Sequence, residues 1–222
     1  MKGKYQIPAQ LLPIPDQVDA EMPRFTFISN KFHSLINVSQ ISASINIKYT
    51  DAYLKDYDKC EEYLKERIGI MFPAIEEITG NIKYCGLLTK VNYIVMDIEE
   101  KELIKYICDK FVSKNNYSTD VKDINLRYTV NKNEKYFINF NISNNKNYIS
   151  DKPVSGPISV SDMKLENLGL QIILDINDRH AFNKDGTHKT TESEIKEIIS
   201  MTKDIVNTKI DTILQKGEIK LC

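Results

Sequence analysis

The chain has 222 residues, with 41% hydrophobic and 27% charged side chains, a composition that excludes wholesale disorder and leaves enough apolar residues for a packed core. Its 30 basic and 31 acidic residues give a net charge of −1, so no overall field would draw it to nucleic acid or to an anionic membrane. Arginine is the side chain that most often binds phosphate and guanine in a bidentate manner. The chain has few arginines, namely Arg24, Arg67, Arg127 and Arg179. We therefore expect neither a nucleic-acid partner nor a membrane partner.

The four cysteines lie far apart and form no C-x-x-C pair, which excludes a zinc ribbon and a thioredoxin-type motif. Cys85 precedes Gly86 in a predicted strand and has no histidine close in sequence, a setting typical of a buried thiol rather than a nucleophile. The N-terminal residues lack the apolar segment of a signal peptide, and no apolar run is long enough to span a bilayer. We expect a cytoplasmic protein.

Prolines are concentrated near the N-terminus, where residues 5–23 hold four of the seven. Proline fixes φ and disfavours helix at the preceding residue, so we predict an extended arm over 1–23 followed by a single domain over 24–222. The arm either lies across its own domain or is exchanged between two subunits, which is a simple route to a homodimer.

The first part of the domain is predicted to contain two strands and a helix. Residues 24–29 form a short strand, and residues 35–49 alternate apolar and polar side chains in the manner of a half-buried strand. The spacing becomes helical over 51–72, and Gly69 and Pro73 are expected to make the end of this helix irregular. A short helical turn at 74–78 is predicted to stop at Gly80.

The remaining predicted elements are a strand at 81–97, a helix at 98–113, a hairpin of strands at 124–130 and 135–143, a strand at 167–177 and a helix at 191–215. Residues 144–164 are polar and interrupted by proline and glycine, so we predict a long loop there. The last helix begins with a capping-box pattern, Thr190 or Thr191 with Glu194. Its apolar stripe can pack on a sheet face, and it is wide enough to line a dimer seam as well.

The order of elements, β-β-α-β-α-β-β-β-α, predicts an α+β fold in which a mostly antiparallel sheet carries its helices on one face and the chain ends in a long helix. The sequence has no glycine-rich phosphate loop and no G-x-S-x-G element. Its twelve tyrosines are more typical of helix packing than of base stacking. We predict no catalytic residue and no cofactor.

The best candidate for a site is the segment 175–192, at the exit of the last strand. The candidate metal-ligating side chains there are Asp175, Asp178, His180, Asp185 and His188. Residues 181–192 nearly fit a calcium loop, but alanine stands at the first ligand position. Alternatively, the two histidines and a carboxylate hold a transition metal, or the segment is a solvated loop with an ordinary turn sequence.

Three segments precede the final helix and read ISASINIKYTDAYLKDYDKCEEYLKE, GLLTKVNYI and LGLQIILDIN. In this order they resemble an uncharacterised, sporadically distributed bacterial family of roughly this size. The family pattern has an arginine in a GLRYIN-like strand, where this chain has Thr89 and Lys90. The family has no established activity, so the resemblance implies no catalytic residue. Its patchy distribution implies an association with phage or defence loci.

Two functional hypotheses follow. The first is a non-enzymatic protein-interaction protein that forms a homodimer and binds another protein. The alternative is a protein that binds a small molecule, a nucleotide or a metal, or an enzyme, with a pocket near residues 144–164 and 175–192.

Overall fold

The computed structural model describes residues 4–6, 9–15, 17–31, 33–54, 56–95, 98–112, 121–150 and 156–220. The chain divides into two compact units, Met1–Ile82 and Lys83–Cys222, and each contains one four-stranded antiparallel sheet. These sheets, the helices and the long C-terminal helix confirm the predicted α+β fold, although the strands form two sheets where one was predicted. The arm at 1–23 and the single domain at 24–222 stay a prediction.

The sheet of the first unit consists, in spatial order, of β1 (Gln10–Leu11), β2 (Phe25–Ile28), β3 (Ser34–Val38) and β4 (Ala43–Ile47). The single strand predicted over 35–49 is wrong, because a turn at 39–42 divides it into β3 and β4. Ser39 stabilises this turn, since its Oγ accepts hydrogen bonds from the amides of Ile41 at 3.2 Å and Ser42 at 2.9 Å. The apolar alternation begins at Ile41, inside the turn, and therefore conceals it.

Two helices of the first unit replace the predicted helix and the turn after it, α1 (Asp51–Leu54) and α2 (Tyr57–Thr79). Asp56 begins α2 by accepting a hydrogen bond from the amide of Lys59 at 3.2 Å. The irregular end expected at Gly69 and Pro73 is wrong, because α2 continues without a break to Gly80. Gly80 ends it as predicted and caps it with a φ of 70°. Proline removes one backbone donor, and the other hydrogen bonds of this 23-residue helix hold the segment together.

The second unit has four strands, β5 (Gly86–Val95), β6 (Asn125–Lys132), β7 (Tyr136–Ile149) and β8 (Lys164–Asn177). They lie in the spatial order β5-β8-β7-β6, and the predicted hairpin is confirmed as β6 and β7. The loop predicted over 144–164 is too long, because the end of β7 pairs with the start of β8, from Asn144 opposite Leu170 to Ile149 opposite Lys164. Residues 151–155 lie outside the described residues.

The helices of the second unit are α3 (Glu100–Phe111), α4 (Arg179–Lys184), α5 (Glu192–Asp204) and α6 (Ile210–Lys216), and a π-helical stretch at Ile205–Lys209 joins α5 to α6 into the C-terminal helix. Alternate residues of β7 and β8 form one core with α3 and the C-terminal helix. The apolar stripe of the C-terminal helix lies in this core, since Ile198, Ile205, Ile210 and Ile213 are at most 2% exposed. The unit itself therefore covers the stripe that the sequence offered as a dimer seam. Among the described helices, none has the length and apolar character needed to cross a membrane.

Candidate functional site

The five side chains that the sequence places in one candidate cluster belong to different surroundings. Asp178 and His188 come together at 3.1 Å. Asp175 lies on β8, where alternate residues face opposite sides of the sheet, and its position faces away from the core. There its carboxylate accepts hydrogen bonds from the side-chain amides of Asn139 and Asn177, both at 3.0 Å.

His180 and Asp185 take part in local contacts. The ring of His180 accepts a hydrogen bond from Nδ2 of Asn131 at 2.8 Å and donates one to the carbonyl oxygen of Glu134 at 2.9 Å, which fixes its proton on Nδ1. Oδ1 of Asp185 accepts hydrogen bonds from the hydroxyl and the amide of Thr187, at 2.7 Å and 2.9 Å, and these bonds lower the pKa of this carboxyl. His180 therefore stabilises the hairpin of β6 and β7, and Asp185 stabilises the loop that follows α4.

Asp178 is the centre of a buried polar cluster at the end of β8. The residue has no exposed surface. Oδ1 accepts a hydrogen bond from the amide of Cys85 at 2.7 Å, and Oδ2 accepts one from the hydroxyl of Thr190 at 2.6 Å. Nε2 of His188 lies 3.1 Å from the same Oδ2. These partners satisfy a carboxylate whose burial would otherwise be costly.

Glu194 brings a second carboxylate to this place. It is the third residue of α5, and its Oε2 accepts a hydrogen bond from the amide of Thr191 at 2.6 Å in the predicted capping box. Oε1 lies 3.1 Å from Nζ of Lys135 and 3.9 Å from Nε2 of His188. Burial opposes ionisation, but the hydrogen bonds from Thr191 and Lys135 outweigh it and lower the pKa of Glu194. The Asp178 cluster, as we name it, comprises Cys85, Asp178, His188, Thr190 and Glu194.

Lys135 supplies positive charge at the rim of the Asp178 cluster. Its Nζ lies 3.3 Å from Oε2 of Glu197, which also accepts a hydrogen bond from the hydroxyl of Tyr136. Burial opposes the charge of Lys135, but hydrogen bonds to Tyr136, Glu194 and Glu197 raise its pKa. The two carboxylates of the cluster and that of Glu197 therefore outnumber this lysine, and an excess of negative charge remains unless the histidine is protonated or a cation binds.

Three potential metal ligands converge in the Asp178 cluster. A carboxylate oxygen of Asp178, a carboxylate oxygen of Glu194 and a ring nitrogen of His188 all lie within 4.8 Å of one another. A zinc ion binds such atoms at about 2.0–2.2 Å, so the three would need to draw together only slightly around it. The Cys85 amide and the Thr190 hydroxyl would then hold the Asp178 carboxylate in position from behind.

Cys85 contributes its amide to the Asp178 cluster while its thiol stays protonated. Burial, together with the charge of Asp178, raises the pKa of the thiol to about 12. Because the thiolate is the nucleophile, we expect Cys85 to react with iodoacetamide at pH 8 at least about 100-fold more slowly than a free cysteine. Timed alkylation followed by peptide mass spectrometry measures this, and the denatured chain provides the control rate. Equal rates in the native and denatured chains would contradict the prediction.

Sequence reasoning identified two members of the Asp178 cluster and missed the other three. For Glu194 the signal was present, since the capping box already placed its carboxylate at the start of α5. Cys85 lies far from Asp178 along the chain and reaches it through the pairing of β5 with β8, so no local sequence pattern could have brought it to this place. Thr190 lies inside the candidate segment, but its hydroxyl was not among the candidate ligands.

The first unit holds a separate cationic cluster around Arg67 on α2. This residue is 6% exposed, and its Cζ lies 5.2 Å and 4.5 Å from the ring centroids of Tyr5 and Tyr63. Within the part of the chain that the structure describes, Nε and Nη1 of Arg67 have no hydrogen-bond partner. The rings of Tyr49 and Tyr53 extend the cluster, each within 6.4 Å of the Tyr63 ring. The guanidinium of Arg67 therefore lies beside two aromatic rings, with which it forms cation–π contacts.

Comparison of the chain with family models, with curated proteins and with solved structures finds no match. The resemblance to a sporadically distributed bacterial family therefore stays a prediction.

Proposed function

We propose that the protein is a non-enzymatic binding protein that holds one divalent transition-metal ion in the Asp178 cluster. The observation that carries the proposal is the convergence of Asp178, His188 and Glu194, whose ligand atoms lie within 4.8 Å of one another. One imidazole and two carboxylates are ligands that zinc accepts in proteins. Association with phage or defence loci stays a prediction.

The charge balance of the cluster supports a cation. Asp178 is fully buried and Glu194 is 9% exposed, so both carboxylates are removed from water, at a cost of several kcal/mol for each ion that lacks compensation. Lys135 is shared between Glu194 and Glu197. A divalent ion would neutralise the negative charge that Lys135 does not balance. A proton on His188 is the competing occupant, and it would offset only one charge.

The origin of the three ligands supports a structural role for the ion. Three protein ligands leave the fourth position of a tetrahedral zinc ion without a protein ligand, so the structural role rests on the segments that the ligands join. Here the ligands come from the end of β8, from the loop after α4 and from the first turn of α5. An ion between them would bind these three segments to one another and resist the separation of α5 from the sheet.

Zinc binding tests the proposal. We expect the chelator-treated protein to take up one equivalent of Zn²⁺, measured by isothermal titration calorimetry and by metal analysis after dialysis. At a free zinc concentration of 100 times Kd, the midpoint of thermal unfolding should rise by about 5–10 °C. Replacing His188 with glutamine or Glu194 with glutamine should weaken zinc binding by at least about 100-fold. Removing a direct ligand should weaken metal binding at least as much as removing a hydrogen-bond partner of a ligand does.

The control for these variants is His180→Gln. His180 is the other histidine of this region, and its contacts are with Asn131 and Glu134 rather than with the cluster. This variant should bind zinc as the wild-type chain does. Absence of zinc uptake by the wild-type chain, or an equal loss of binding in His180→Gln and His188→Gln, would contradict the proposal.

A further inference from the structure

β5 is an edge strand with an open side. It pairs with β8 along its whole length, from Gly86 opposite Asn177 to Val95 opposite Leu168, and it stands first in the order of the sheet. Among the described residues, no backbone group donates to or accepts from the other side of β5. Ten residues of unpaired edge are a template for another strand, and proteins commonly protect such edges by charge, proline or bulges.

The two edges of this sheet differ in how well they are protected. On the sheet face away from the helices, β6 presents only polar exposed side chains, namely Asn125, Arg127, Thr129 and Asn131. On the same face, β5 presents Leu88 and Ile94, which are 65% and 64% exposed. Lys90 is the charged residue of β5. The apolar, weakly charged edge is therefore β5.

We infer that the open edge of β5 pairs with β5 of a second copy of this chain. An antiparallel pair of identical strands has a twofold axis, and its register is set by the residue on that axis. With Val91 on the axis, Leu88 of one copy lies opposite Ile94 of the other, and both exposed apolar side chains gain a cross-strand partner.

The charges of β5 favour this register over its neighbour. With Val91 on the axis, Lys90 faces Asn92 of the second copy, and no like charges oppose each other. With Lys90 on the axis, two ammonium groups would face each other directly, which is destabilising. The pattern of the strand is therefore self-complementary in one register, and this is why a second copy is the occupant.

The resulting assembly joins two four-stranded sheets into one continuous sheet of eight strands. The twofold axis runs through the sheet at Val91, so the helices of both copies cover the same face. The C-terminal helix keeps its stripe in its own core, and the dimer contact is made by backbone hydrogen bonds and the Leu88–Ile94 pairs.

Two double variants test both the surface and the register. Light scattering after size exclusion, at micromolar concentration, should give the wild-type chain a mass of twice 25.6 kDa. The variant L88K/I94K opposes lysines across the axis and should be a monomer. The variant L88K/I94E opposes lysine and glutamate at the same two places and should be a dimer again. The control T129K/N131K carries its lysines on β6 and should remain a dimer.

Each outcome decides the inference. A monomeric wild-type chain, or a dimeric L88K/I94K, would show that β5 is not the interface. A monomeric L88K/I94E beside a monomeric L88K/I94K would overturn the register. Both positions are exposed, so the variants should keep the thermal midpoint of the wild-type monomer. Hydrogen exchange on the wild-type chain provides a check without substitution, because the outward amides of β5 should lose protection on dilution. Protection that is independent of concentration would contradict the dimer.

Discussion

Replacement of Asp178 with alanine is expected to lower the free energy of unfolding of the second unit by about 3–5 kcal/mol, the usual cost of removing one partner from a buried charged network. The carboxylate has no exposed surface and accepts hydrogen bonds from the Cys85 amide and the Thr190 hydroxyl. Alanine leaves both donors buried without an acceptor and also removes the partner of His188. Urea unfolding followed by circular dichroism measures the loss.

Asp185→Ala is the matched control for this prediction. Asp185 lies in the same region, but it is exposed and its carboxylate accepts hydrogen bonds from the amide and the hydroxyl of Thr187. Its removal should cost less than about 1 kcal/mol. Equal losses of stability in the two alanine variants would contradict the prediction. The Asp178 cluster would then not stabilise the connection between β8 and α5.

The second large effect is expected at Gly169, which lies opposite Ile94 near the end of the pairing between β5 and β8. A Cβ on this residue would stand 2.2 Å from the carbonyl oxygen of Tyr93 and 3.1 Å from its carbonyl carbon. Backbone atoms of a neighbouring strand cannot turn aside as a side chain can. Gly169→Ala should therefore force the two strands apart and destabilise the second unit by about 3 kcal/mol. The midpoint of thermal unfolding measures this change.

The same substitution at Gly69 should have the opposite sign. Gly69 lies in α2, it is exposed, and a Cβ there would meet nothing within 4 Å. Alanine is the better helix former, so Gly69→Ala should stabilise the first unit by about 0.5–1 kcal/mol. A tolerated Gly169→Ala would mean that β5 and β8 are less tightly paired than their register indicates.

The elements that sequence reasoning predicted well are those with strong local signals. The C-terminal helix combines a capping box at Thr191 and Glu194 with a regular apolar stripe, and both signals act within a few residues. The hairpin of β6 and β7 could also be predicted, because apolar and polar residues alternate on both sides of a polar turn at Asn133 and Glu134.

The elements that were missed depend on distant pairing. The end of β7, from Asn144 onward, is a run of polar residues that resembles a loop, and its strand conformation comes from its pairing with β8. Likewise, the grouping of Asp175 with Asp178 failed because Asp175 is still inside β8, on the face opposite the core, whereas Asp178 lies just beyond it. Nearness along the chain does not predict nearness in a strand, where neighbours point to opposite sides.

The π-helical stretch allows the C-terminal helix to gain or lose one residue while its isoleucines remain packed in the core. Ile210 donates its backbone hydrogen bond to Ile205, five residues back. In a regular α-helix these positions would stand about 140° apart around the axis, and the wider turn returns them to one side. A chain shorter by one residue here would space the same isoleucines by four, which suits a regular α-helix. An insertion or deletion of one residue at this point is therefore absorbed locally, whereas within α3 it would rotate the following turn by about 100° and move its apolar side chains away from the sheet.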